Sequence, residues 1–215
     1  MPSVHDPMFN LPAKPPFRWG MSPFRARGVV YNEEIAVAQK VLDGKAMEAV
    51  RRAGDPALEA FLMQRFSSLE WYDTAPIVYF GYQVARLRGV PLNQHIRDVS
   101  LAHASRALSG FSGTVLKLIS TEAVATWLPR ASAWYHDFGG AESKVVGDGH
   151  VRATRWGMPH FLVHGWSLSA MYFTEEVLTR SGARKPRAST LEVESDGMKE
   201  GHPTYRIGFD VTWEP

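Results

Sequence analysis

The chain has 215 residues, 45% of them hydrophobic, and a net charge of +2. One core can grow to roughly 250 residues, so the length fits one large domain and the composition excludes a disordered chain. So small a charge gives no strong signal for nucleic acid or an anionic membrane as partner. Cys is absent, which excludes disulfides, thiol chemistry and Cys-based metal sites and suits a reducing compartment. The N-terminus lacks the apolar segment of a signal peptide, and no run reaches the roughly 18 apolar residues of a membrane span. A cytoplasmic protein that does not engage a membrane is expected.

Residues 1–28 stand apart as an arm. Pro2, Pro7, Pro12, Pro15, Pro16 and Pro23 forbid helix and deprive a sheet of donors, which predicts an extended segment. Phe9, Phe17, Trp19 and Phe24 predict that it packs on its own domain or on a neighbouring subunit. Residues 29–215 read as a single domain, helical over 29–129 and sheet plus helix over 130–215. Asn32 is the expected cap of the first helix, with Glu33 and Glu34 in its first turn and Gly44 as its stop. Asp55-Pro56 starts another, with Leu58, Phe61, Leu62 and Phe66 on one stripe. Asp73 opens a helix that runs to Gly89, and Pro91 one that runs to about Ser109 with Leu92, Ile96, Val99 and His103 on one side. Ser112 is a cap for Val115–Ile119, and Thr121 starts a helix through Trp127 and Leu128.

At Pro129 the period changes. Ser132, Trp134, His136 and Phe138 alternate with Ala133, Tyr135 and Asp137, which predicts a strand. Gly147-Asp148-Gly149 is the turn of a hairpin between Lys144–Val146 and Val151–Trp156. Pro159 sits at the first position of a helix reaching about Arg180, stopped by Gly182 and Pro186. That helix is apolar nearly all round, which predicts a position between two layers. Residues 190–194 and 205–213 alternate as a closing strand pair. The order is helices, then ββ(β)–α–ββ: an α+β domain with an N-terminal helical region and an antiparallel sheet.

Five segments carry a family likeness over residues 29–213: Arg65-Phe-Ser-Ser-Leu-Glu-Trp-Tyr72, Gly110-Phe-Ser-Gly113, Leu128-Pro-Arg130, Phe138-Gly-Gly-Ala-Glu-Ser-Lys-Val145 and Tyr205-Arg-Ile-Gly-Phe-Asp-Val-Thr-Trp213. They resemble a paralogous family of myxobacterial proteins, the DUF2378 group. That family is similar in turn to the ligand-binding fold of haem-nitric-oxide-binding sensors, 4-vinyl-reductase (V4R) domains and TRAPP-like vesicle-tethering subunits. The resemblance implies an α/β ligand sensor or scaffold, often dimeric, and a fold does not by itself fix a function. Haem sensors of this kind present a proximal His just ahead of the hairpin, and His136 lies close to that place. Their Tyr-x-Ser-x-Arg propionate clamp finds no counterpart, since the matching region reads Arg152-Ala-Thr-Arg-Trp156.

Other constellations are thinner. His160 and His164 share a helix face at a spacing that a metal can bridge, with His136 or Glu175 as a third ligand, but the Glu of a metalloprotease helix is missing. Gly165-Trp-Ser-Leu-Ser169 lacks the closing Gly of a nucleophile elbow, and no phosphate-binding loop is present. Arg180, Arg184, Lys185 and Arg187 read as a solvated basic loop. Trp71, Tyr72, Tyr79, Tyr82, Trp127 and Trp134, with His136, are the expected ligand wall between helices and sheet, since Trp and Tyr combine an apolar face with a polar tip. The leading expectation is a non-enzymatic sensory or regulatory domain that binds a small, largely apolar ligand and is read out through a homo-oligomer contact. The alternatives are an assembly protein whose arm grips neighbouring subunits, and a haem or metal sensor through His136, His160 and His164.

Overall fold

A computed structural model describes residues 17–52, 55–109, 119–131 and 134–214. Most of the arm, the Gly110-Phe-Ser-Gly113 turn, the segment capped by Ser112 and residues Ser132 and Ala133 lie outside the described residues. The helical half comprises α1 (Gly28–Val41), α2 (Gly44–Arg51), α3 (Pro56–Met63), α4 (Ala75–Arg88), α5 (Leu92–Ser109) and α6 (Thr121–Ala131). Two short strands, β1 (Arg25–Arg27) and β2 (Trp71–Asp73), pair antiparallel within it. The second half is β3 (Gly140–Gly147), β4 (His150–Pro159), α7 (His160–Ser181), β5 (Arg184–Lys199) and β6 (His202–Glu214). Its strands form one antiparallel sheet in the order β3-β4-β6-β5.

Local signals place most of these elements. The Asp55 carboxylate accepts from the N–H groups of Ala57 and Leu58, with Pro56 at the first turn of α3. Gly89 and Gly182, both left-handed, close α4 and α7. Asp73 joins arm to helices: one carboxylate oxygen accepts from Ala75 N–H at the start of α4, and the other from Gly20 and Ser22 N–H. Burial pushes its carboxyl above the usual range. The described end of the arm lies on this chain, with Phe24 fully buried and the Phe17 ring against Phe161 and His202.

Several elements differ from what the sequence predicts. α1 begins at Gly28 and not at Asn32, and Gly44 opens α2 instead of stopping α1. A Cβ on Gly28 would meet Ser67 O at 2.1 Å, so the start of α1 is set by a close approach from across the fold. Asn32 lies inside α1 and donates to Phe66 O. Pro129 does not end α6, which continues to Ala131; a missing N–H costs little so near a helix end. Trp134–Phe138 is not a strand but an irregular passage with one bridge, His136 to Ala26, and Phe138 buried edge-on against Phe24. Pro186 falls inside β5 on the sheet edge, at a register shift between Arg184 and Arg187.

α7 is the central element. It packs along α5 on one side and against β5 and β6 on the other, while α6 covers β3 and β4. Leu162 and Val163 enter one cluster with Phe24, Met158 and Ile207; Val177 and Leu178 enter another with Val151 and Val211. The α1–α4 bundle has its own cluster around Tyr31, Val50, Phe80 and Val84. Gly139 and Gly157 lock the β3–β4 hairpin at its inner end. Both have positive φ, and a Cβ on Gly139 would lie 1.9 Å from Trp156 O.

Candidate functional site

The clusters do not close on one another. Between α5, α6, α7 and the inner face of β4 and β6 lies a cavity of about 870 Å³, within the roughly 300–1,000 Å³ of small-molecule sites. Small side chains on α7 open it. A Cβ on Gly165 would meet nothing nearer than Ile96 Cδ1 at 3.8 Å, and Ser169 touches α5 through Ser100, Oγ to Oγ at 2.9 Å. Ile96, Val99, Leu162, Trp166, Met171 and Phe209 give the wall its apolar character.

Against this wall stand a few polar groups. β4 alternates Val151, Ala153 and Arg155 toward the inside, and all three are buried. The Arg155 guanidinium donates from Nη2 to Phe138 O at 2.7 Å and lies over the Phe138 and Trp166 rings. Its Nε and Nη1 have no hydrogen-bond partner among the described residues. Burial lowers its pKa to about 10.

Glu33, in α1, is 5% exposed and also lines the cavity. Its Oε1 lies 3.5 Å from Arg106 Nη1, while its Oε2 has no partner among the described residues. Burial raises its pKa and Arg106 partly opposes that. Nearby, His103 meets the Tyr135 and Phe173 rings at 5.2 and 5.1 Å. Burial, assisted by Arg106, lowers its pKa to about 4, so it presents a neutral imidazole. Deeper in the helical half, Arg88 donates toward His95 Nδ1, which leaves the ring proton on Nε2 to be donated to Glu34 at 2.5 Å. Arg88 also pairs with Asp98, so this network is internally satisfied.

The expected ligand residues divide. Trp127 and His136 reach the cavity wall, Trp127 being 62% exposed. Tyr72 sits in the helical cluster beside Tyr31 and Phe66, and Tyr79 lies against Trp19. Trp71 and Trp134 sandwich the Arg27 guanidinium at 4.5 and 5.1 Å, and Tyr82 is on the surface. These five do not line the cavity. His160 and His164 do, beside Tyr205 and Asn93 respectively. Among the described residues no three His, Asp or Glu gather to hold a metal ion. Sequence reasoning missed Arg155, Glu33 and His103 as site residues. Their signal was polar character on an otherwise apolar face: Arg155 two residues beyond Ala153, and His103 on the Ile96–Val99 stripe.

No family model matches the chain, and no curated protein does. Solved structures do. An oxygen-binding H-NOX domain related to soluble guanylate cyclases, in its oxygen complex, aligns at a TM-score of 0.61 with 10% identity, over 88% of this chain and 95% of that one. A structure on modulating haem redox potential through protein-induced porphyrin distortion gives 0.59 with 10% identity, over 86% and 99%. One probing haem distortion in the H-NOX family gives 0.61 with 12% identity, over 88% and 95%. At these identities the likeness shows the fold alone: the chain is an α+β protein with the H-NOX architecture. Among the described residues no helix is long and apolar enough to cross a membrane.

The fold family implies haem, and the residues can be tested against it. His136 and His103 both line the cavity, His103 as a neutral imidazole, and Arg155 offers one guanidinium. On the inward face of β4 stand Val151, Ala153 and Arg155, which offer one guanidinium and no hydroxyl to a propionate. Glu33 adds an unpartnered carboxylate oxygen to the same wall. One guanidinium for two propionates, in a cavity whose lining also buries the carboxyl of Glu33, does not fit haem.

Proposed function

We propose that this chain is a sensory or regulatory domain that binds a small, largely apolar ligand in the cavity between α5, α7 and the sheet. The observation that carries the reading is the cavity itself, apolar and lined by a few unpartnered polar groups in an otherwise packed fold. Helix α7 spans it and lies on the sheet, so it is the element through which occupancy passes to a homo-oligomer contact. Residues 29–215 act as one unit in this reading, on a sensor scaffold shared with the myxobacterial family.

Titration with anilinonaphthalene sulfonate tests it. A saturable, blue-shifted fluorescence is expected, lost in Gly165→Phe, whose ring fills the space beside Ile96. No saturable binding, or binding that ignores Gly165→Phe, overturns the reading. Haem reconstitution is the accompanying control: a Soret band lost in His136→Gln or in His103→Gln would move the assignment to a haem sensor.

A further inference from the structure

Two ionisable side chains are buried in the cavity wall with atoms that nothing in the described residues satisfies. Arg155 is 1% exposed, with Nε and Nη1 free of partners; Glu33 is 5% exposed, with Oε2 free. They stand on different elements, β4 and α1, in different surroundings. Arg155 is framed by the Phe138 and Trp166 rings, Glu33 by Arg106 at 3.5 Å and by α5. Each serves no ion pair with the other. A buried ionic group without a full set of partners is destabilising, and water that enters an apolar cavity hydrates such a group without neutralising it. A molecule that brought the complementary groups would satisfy both.

Resting on the cavity being the ligand site, we propose that its ligand is bipolar: an apolar body with an anionic acceptor, such as a carboxylate, for Arg155 and a hydrogen-bond donor, a hydroxyl or amine, for Glu33. The two polar groups then set specificity and the apolar wall supplies most of the contact. A plain hydrocarbon leaves both side chains unpaired. A diacid places a second negative charge against Glu33, which is also why a porphyrin with two propionates is a poor occupant. Arg155 leaves Nε and Nη1 as N–H donors on two sides of a guanidinium whose Nη2 is already bonded to Phe138 O, and each can bond an anionic acceptor. Glu33 keeps Oε1 toward Arg106 and offers Oε2 alone, which suits a single donor.

The test is competition against anilinonaphthalene sulfonate, followed by calorimetry, with three probes of one chain length: decanol, decanoic acid and ω-hydroxydecanoic acid. The expected order in the unmodified protein is decanol weakest, decanoic acid at least about tenfold tighter, and ω-hydroxydecanoic acid several-fold tighter again, since a bond to a charged group commonly carries a factor of ten or more. Arg155→Met should erase the advantage of the acid over the alcohol. Glu33→Met should erase only the advantage of the ω-hydroxyl, with Glu33→Gln retaining part of it through its carbonyl. Equal affinities for all three probes in the unmodified protein overturn the proposal without recourse to any variant. If decanol binds and the acids gain nothing, the bipolar ligand is refuted while the cavity reading stands. If none of the three displaces the fluorophore and Gly165→Phe binds it unchanged, both fall.

Discussion

Replacing Arg155 by Met should make the ligand-free protein slightly more stable. Burial lowers the guanidinium's pKa to about 10, which costs its charged form roughly 3 kcal/mol, at about 1.4 kcal/mol per pH unit. Against this stand the hydrogen bond to Phe138 O at 2.7 Å and the ring contacts with Phe138 and Trp166 at 5.9 and 5.7 Å. The bond contributes about 1.5 kcal/mol and the ring contacts together about 0.5–1 kcal/mol. Met fills much the same volume without a charge, so a net gain of about 1 kcal/mol remains, or roughly 2–4 °C in Tm for a chain of this size. The assay is urea unfolding and scanning calorimetry at pH 7 on protein stripped of bound small molecules. A loss of more than about 2 kcal/mol would refute the reasoning, because the guanidinium would then be holding the fold together instead of awaiting a partner. Gain of stability with loss of acid binding is the signature of a residue kept for function.

Three further outcomes follow from the same structure. His103 binds its proton at about 4 in the folded chain and near 6.5 when unfolded, so its contribution is complete above about pH 6.5 and is lost as pH falls toward 4. Its partial exposure on the cavity wall limits the change to roughly 2 kcal/mol, read as the difference in urea midpoints between the unmodified protein and His103→Gln across that range. Gly139→Ala forces a side chain into a φ of +65° and within 1.9 Å of Trp156 O, so a loss of about 3 kcal/mol or more is expected in the same titration. Tyr82→Ala on the surface should leave fluorophore affinity unchanged, whereas Trp127→Ala on the cavity wall should weaken it; the reverse pattern in a binding titration would place the ligand elsewhere.

Much of the fold was legible because it is written in local chemistry. Asp55-Pro56, Gly89, Pro91 and Gly182 punctuate helices through caps and fixed dihedrals, and the alternation in β4 and β6 follows the pleat. What escaped is set by contacts distant in sequence. The start of α1 depends on Gly28 passing beneath Ser67 O, and Trp134–Phe138 alternates because its residues meet β1, Arg27 and Phe24 in turn, without a ladder. The site was half legible for the same reason. An aromatic residue announces an apolar contact but not which cluster it joins, so Tyr72 and Tyr79 went to the helical bundle while Trp127 reached the cavity. Strand parity, by contrast, carried the information for Arg155: two residues beyond Ala153 and four beyond Val151, it had to point inward.

The most direct test of the account is a crystal structure of the protein with ω-hydroxydecanoic acid. The account predicts continuous density between α5, α7 and the inner face of β4, with the carboxylate on the Arg155 guanidinium and the hydroxyl toward Glu33. A cavity closed by its own side chains, or density only at an outside surface, would contradict it.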